Sequence, residues 1–192
     1  MELDLKRVQY SNNDRKLGIV IPKVLSKDLA YETGIHIGDG HLGIRRRRDG
    51  WSYLHTISGN YHEELDYHKD ILCPLIQRLY NKTVQPRKST KNTVQIVYKS
   101  KAIATFKQRV LGLPSGKKTG QIKIPDLIMN SKLRNYCIQG IVDTDFFFSL
   151  RHGKYPRIVG TVPFASRTLK DQNNKNFSGN GYKSCMLYWK EV

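Results

Sequence analysis

The sequence predicts an α+β protein built from two related halves. Three observations predict it. One apolar pattern occurs twice: residues 33–40 read Thr-Gly-Ile-His-Ile-Gly-Asp-Gly and residues 139–146 read Gln-Gly-Ile-Val-Asp-Thr-Asp-Phe. Aligned on Gly34 and Gly140, an offset of 106 residues, Asp39 falls on Asp145, Ile35 on Ile141, Leu42 on Phe148 and Arg45 on Arg151. Helix-period and strand-period segments also alternate along the chain, with a hairpin pattern after each copy. Each copy, finally, follows an Ile-Pro start, Ile21-Pro22 and Ile124-Pro125.

The elements follow in order. Ser26 is a fitting N-cap for a first motif helix that runs to about Gly38. Leu42 to Arg48 reads as a strand, Asp49-Gly50 as a hairpin turn, and Tyr53 to Ser58 as the return strand. From Glu63 to Tyr80, Leu65, Leu72, Leu75, Ile76 and Leu79 recur at helical spacing, with a kink expected at Pro74. Thr83–Lys88 and Thr93–Lys99 read as a second strand pair. In it Val94, Ile96 and Tyr98 face the core, and Gln95, Val97 and Lys99 face away. Ala102 to Leu111 is a short helix, and residues 115–120 form a basic linker. The first half is then complete as helix-β-β-helix-β-β-helix. The second motif helix is expected over Lys132–Thr144, followed by a hairpin over Phe146–Arg151 and Arg157–Phe164 and a last strand at Ser184–Lys190. Domain bounds of 1–120 and 121–192 follow, with the second half shortened.

The net charge is +17, from 33 Lys and Arg against 16 Asp and Glu. So large an excess points to a polyanion, most often nucleic acid, because neutralising phosphates releases counterions. Cys73, Cys137 and Cys185 are widely spaced with no metal-type pattern, and read as buried reduced thiols. No apolar run is long enough to span a bilayer. The protein is expected in the cytoplasm, associated with the nucleoid, with no membrane partner.

At the two motifs the chain resembles the LAGLIDADG homing endonucleases of the single-chain, two-motif kind frequent in archaea. Ile138-Gln-Gly-Ile-Val-Asp-Thr-Asp-Phe keeps the motif's glycine, both aspartates and its apolar rhythm; Thr33 to Leu42 keeps the glycine, the Asp-Gly and the following strand. Supporting stretches are Ser58-Gly-Asn-Tyr-His-Glu-Glu, Lys99-Ser-Lys-Ala-Ile and Leu113-Pro-Ser-Gly-Lys-Lys-Thr. The resemblance covers about residues 17–165. It implies two pseudo-symmetric αββαββα halves with saddle-shaped antiparallel sheets, joined at the motif helices. It also implies site-specific double-strand cleavage of a long DNA target.

The residues explain how that chemistry would arise. Gly34 and Gly38 lie four apart on one helix face, and Gly140 and Thr144 repeat the spacing. Small residues at this interval let two helices approach closely, which brings Asp39 and Asp145 together. Two carboxylates at the negative ends of two helix dipoles repel. A divalent cation, Mg²⁺ or Mn²⁺, would relieve this, with Gly38 and Thr144 completing the metal set. Such ions activate water and stabilise a leaving oxygen. Lys99 matches the family's basic residue at a strand end, and Lys190 is its possible twin, so both join the catalytic set. Ser58 sits where the family often has a water-positioning polar residue. The DNA surface is expected on the outward strand faces and hairpin tips: Arg45, Arg46, Arg47, Arg48, Gln85, Arg87 and Gln95, then Ser149, Arg151 and Arg157. His36 reads as a core histidine, His62 and His68 as helix-surface residues.

The expected protein is a monomeric, magnesium-dependent endonuclease acting on double-stranded DNA, intron-encoded or free-standing rather than part of an intein. The alternatives are a maturase that binds intron RNA, a DNA-binding relative without cleavage, and a transcriptional regulator on the same fold.

Overall fold

The computed structural model of the chain describes residues 1–90, 92–118, 121–145, 147–151 and 157–161, those from 145 onward by their backbone alone. The fold is α+β around a four-stranded antiparallel sheet of order β1-β2-β4-β3. A single turn, α1 (Asn12–Lys16), opens it and was not foreseen from the sequence. Ser26 caps α2 (Lys27–Gly38) by accepting from Leu29 N at 3.2 Å. Strands β1 (Gly40–Arg47) and β2 (Gly50–Asn60) form the first hairpin. Its two-residue loop is closed by Gly50 at a φ of 120°, a conformation that side-chain-bearing residues avoid.

The long helix has three parts: α3 (Tyr61–Tyr67), a π-helical stretch His68–Leu72, and α4 (Cys73–Tyr80). The distortion expected at Pro74 lies just before it. Pro74 lacks the N–H that would bond four residues back, and the widened turns ahead of it absorb that defect. His68 is not a surface residue as the sequence suggested; it is 1% exposed. Its ring packs over Gly59, where a Cβ would lie 2.7 Å from Cε1.

Strands β3 (Pro86–Thr90) and β4 (Thr93–Lys99) complete the sheet, β3 starting three residues later than expected. Burial alternates along β4 as the sequence indicated: Val94, Ile96 and Tyr98 are buried, Val97 and Lys99 exposed. Helix α5 (Lys101–Arg109) follows, then α6 (Asp126–Met129) and the second motif helix α7 (Arg134–Asp145). Strands β5 (Phe147–Arg151) and β6 (Arg157–Thr161) pair antiparallel, Ser149 opposite Val159. The strand expected at 184–190 lies outside the described residues. Among those described, no helix is long and apolar enough to cross a membrane.

Helices α2 and α7 are held together by the two motif glycines. A Cβ on Gly34 would fall on the Cys137 carbonyl and 3.0 Å from Gly140 Cα; one on Gly140 would fall on the Tyr31 carbonyl and 3.1 Å from Gly34 Cα. Backbone meets backbone here, so no side chain can yield. Gly34→Ala should therefore cost about 1–3 kcal/mol through overpacking, despite alanine's better helix propensity. Urea unfolding would measure it, and a variant as stable as the parent would mean the helices separate freely.

Under the sheet, α2, α4, α5 and β4 enclose a polar network. Lys107 pairs with Glu32, both essentially unexposed, and Tyr80 donates to Glu32 at 3.1 Å. Lys107 Nζ also lies 3.4 Å from His36 Nδ1. Nearby, His55 stacks on Tyr98 at 4.7 Å between ring centroids. Burial, helped by the Lys107 charge, holds His36 well below the ordinary histidine range and His55 down at about 3. Both are neutral when folded, whereas in the unfolded chain they take up protons below about pH 6.5. Their depressed values thus contribute stability that is complete above that pH and is lost as pH falls. Each should remove about 1.4 kcal/mol per pH unit. Urea midpoints from pH 7 to pH 5 would read this; His36→Gln should flatten the slope, and flat midpoints in the parent would refute it.

Candidate nucleic-acid interface and motif-helix site

Residues directly opposite in an antiparallel pair share a face. The register therefore builds the open face of the sheet row by row. Ser58 stands opposite Gln95, which stands opposite Arg87. His41 stands opposite Thr56 and Thr56 opposite Val97; Arg45 faces Ser52, and Arg47 faces Gly50. Arg45 and Arg47 thus point away from the core, where Leu42 is buried. Arg46, Arg48, Gln85 and Arg87 are all exposed, but Arg46 stands opposite Trp51, on the face of Leu42 and not that of Arg45. Gln85 lies just ahead of β3, and Arg48 in the hairpin loop. Gln95 donates to Ser58 Oγ at 3.1 Å. The face combines guanidinium groups with amide and hydroxyl groups and carries no acidic residue in these rows. Phosphate neutralisation and base-edge reading need such a set.

At the inner end of this face stands Asp39, the C-cap of α2. Its N–H donates to Ile35 O at 3.0 Å, and its carbonyl accepts from Ser58 N at 3.3 Å. The turn is therefore fixed between helix and sheet. Lys118, which the sequence gave only as part of a basic linker, reaches the same point. Its Nζ donates to the carbonyls of His36, Ile37 and Gly38 at 3.3, 3.0 and 2.5 Å. A cation here neutralises the negative end of the α2 dipole beside Asp39. The linker is held in place, with Ile44 N donating to Ser115 Oγ at 3.0 Å and Gly116 N to Leu42 O at 2.7 Å. The only sequence signal was two adjacent lysines between the halves.

Across the helix pair, Tyr31 donates to Asp143 Oδ2 at 2.6 Å and shares a 2.9 Å hydrogen bond with Tyr67. Tyr67 is raised to about 12, by burial first, opposed by the Tyr31 bond, with the Asp143 and Asp39 carboxylates adding to it. Tyr31, three residues before Gly34, is thus joined to Asp143, three residues after Gly140. The backbone of Asp145 ends α7 two residues beyond Asp143.

Other candidates are placed as follows. Lys99 is opposite Leu54, four residues along β2 from Ser58, or about 13 Å at strand spacing. The sheet puts it on the open face but not beside Asp39. Thr144 turns its hydroxyl back onto its own helix, donating to Gly140 O at 3.0 Å. Ser149, Arg151 and Arg157 lie on the β5–β6 backbone. Lys190 falls outside the described residues.

Among the described residues, no group of three or more His, Cys, Asp or Glu converges. Asp39 and the helix-end carbonyls offer too few ligands for a zinc or calcium cage. They suit a hard cation that keeps most of its water and takes further oxygens from a phosphate.

This architecture defines a class. The chain has the fold of the LAGLIDADG homing endonucleases. It is similar to I-DmoI, solved as a double mutant with its target DNA nicked in the coding strand in the presence of Mn, at TM-score 0.55 and 18% identity over 81% of this chain and 77% of that one. It is similar also to I-SmaMI bound to an uncleaved DNA target with calcium ions (0.51, 11%, 81% and 74%). A third is the LAGLIDADG meganuclease I-AabMI bound to uncleaved DNA (0.51, 10%, 83% and 74%). No family model and no curated protein matches the chain.

Proposed function

We propose that the protein is a site-specific endonuclease of double-stranded DNA, acting as a monomer with a divalent cation, Mg²⁺ or Mn²⁺. The observation that carries this reading is the glycine-to-glycine crossing of α2 and α7, with Asp39 and Asp145 each five residues beyond its glycine. In this reading residues 1–120 and 121–192 are two pseudo-symmetric halves under one saddle-shaped, cationic surface, the second half shortened. DNA lies on the open face, held through phosphates by Arg45 and Arg47 and by Arg48 in the hairpin loop, while Arg46, opposite Trp51 on the other face, adds its charge from the hairpin edge. Arg87 and Gln95 read base edges in the major groove, and Gln85, Ser149, Arg151 and Arg157 extend the contact.

Asp39 and Asp145, with Thr144, would hold the cation; the Gly38 carbonyl, the remaining expected ligand, already accepts from Lys118. When bound, it supplies an activated water and charge stabilisation at the leaving oxygen. The chain's own residues do the rest. Lys118 cancels helix-end charge beside Asp39, Ser58 and Gln95 form a polar row that can orient water, and Lys99, with Lys190 as its counterpart, steadies the scissile strand through its phosphates. The known solved structures of this fold with DNA, Mn and calcium support the substrate and the type of ion.

The test is a plasmid carrying the uninterrupted form of the locus that houses the gene, incubated with the protein and Mg²⁺. Linearisation at one site is expected. Tight binding without cleavage, with or without RNA splicing, would replace this reading by that of a maturase or a non-cleaving relative.

A further inference from the structure

The β1–β2 hairpin extends past α5, and its underside, away from the open face, is not covered there. Trp51 is 61% exposed on that underside, in the same alternation as Tyr53 and the buried His55 and Ile57. A cleft of about 410 Å³ lies between the hairpin and the N-terminal turn, lined by Trp51, Tyr53, Arg47, Lys99, Lys101 and Asn13 among others. A second, of about 490 Å³, shares Trp51, Tyr53 and Lys101 with it and adds Gln108 and Arg109. Lys101 Nζ stands 5.9 Å from the Tyr53 ring centre, a cation placed against the aromatic wall. Asp14, the one buried carboxylate bordering the first cleft, is engaged: it accepts from Ser11, Lys101 and Ala102 backbone N–H groups. These hydrogen bonds outweigh its burial and hold it below the usual carboxylate range. The cleft therefore presents indole, phenol and several cations, with one further carboxylate, Asp49, at the hairpin turn.

An aromatic face bordered by lysine and arginine is the arrangement that holds an unpaired polynucleotide, with a base on the ring and phosphates on the cations. A duplex buries its bases and cannot offer one to Trp51. We propose that the cleft under the hairpin binds a single-stranded segment of RNA or DNA, stacking one base on Trp51 and placing its phosphates on Lys101 and Arg109. Trp51, Lys101 and Arg109 lie on the opposite side of the sheet from Arg45 and Arg87, and Arg47 and Lys99 border the first cleft from the open face; a base stacked on Trp51 leaves the duplex surface free. This site extends the reading above but is measured separately from it.

The experiment titrates the full chain with oligo-dT and oligo-U, and in a parallel arm with a random-sequence duplex. Trp51→Ala and Lys101→Ala should each weaken single-strand binding about tenfold, the scale of one lost stack or cation. Both should leave duplex binding unchanged, while Arg45→Ala and Arg87→Ala should do the reverse. Trp51→Phe should recover most of the loss, which separates stacking from folding damage. A preference for oligo-U over oligo-dT marks RNA as the source, and the opposite marks displaced DNA. Single-strand affinity indifferent to Trp51→Ala, or abolished by saturating duplex, overturns the proposal. Failure of the duplex arm alone would count against the endonuclease reading and leave this site standing.

Discussion

Asp39→Asn should abolish strand cleavage while DNA binding and folding survive. Asparagine keeps the size of the side chain and an acceptor oxygen, so the turn between α2 and β1 has no steric reason to move. It loses the charge that would hold a divalent cation. A group used only in the transition state affects rate far more than binding, and we expect a fall of roughly three orders of magnitude or more. The backbone bonds of residue 39 to Ile35 and Ser58 are independent of the side chain. Removing a negative charge from a helix C-terminus should even raise stability slightly, by about 0.3–1 kcal/mol. A thermal melt, a binding isotherm in Ca²⁺ and a cleavage time course in Mg²⁺ together decide the matter. A variant that cleaves at the parental rate removes Asp39 from the chemistry. One that also melts early makes it a structural residue.

Lys107→Met should be the most destabilising single change in the core. It leaves the Glu32 carboxylate buried at 1% exposure, with the Tyr80 hydroxyl as its remaining partner among the described residues and His36 neutral beside it. Breaking one side of such a pair costs about 3–5 kcal/mol, because the remaining charge cannot be solvated. Replacing both sides together is far milder, since a matched apolar pair carries no orphaned charge. The expected pattern is thus strongly non-additive: Lys107→Met severe, and Lys107→Met with Glu32→Leu close to the parent. Urea unfolding of the three proteins would show it. Additive losses, or a single-variant cost under about 1 kcal/mol, would mean that water reaches the pair.

Much of this fold is legible in the sequence where local chemistry decides the outcome. The Ser26 cap, the Asp49-Gly50 turn and the alternation along β4 rest on neighbours two to four residues away, and they fix the register that sorts Arg45 from Leu42. The duplicated glycine also implied a close helix crossing before any coordinates. What was missed depends on partners far apart in the chain. Lys107 reads as an ordinary lysine of an amphipathic helix, because its partner Glu32 is 75 residues away. Lys118 reads as linker, although its three acceptors lie 80 to 82 residues earlier. Lys99 kept its expected face, but a strand pattern gives no distance along the sheet, and only the pairing with Leu54 separates it from Asp39. The placement of His68 turned on Gly59, a residue whose lack of a side chain makes room for the ring.

The stitching of Ser115 and Gly116 to the outermost strand has one more effect. An uncovered strand margin invites another chain to add itself, the first step toward aggregation. Here residues 115 and 116 occupy part of that margin. The tether thus doubles as a guard, and a longer, looser one would carry a solubility penalty even if every other residue stayed in place.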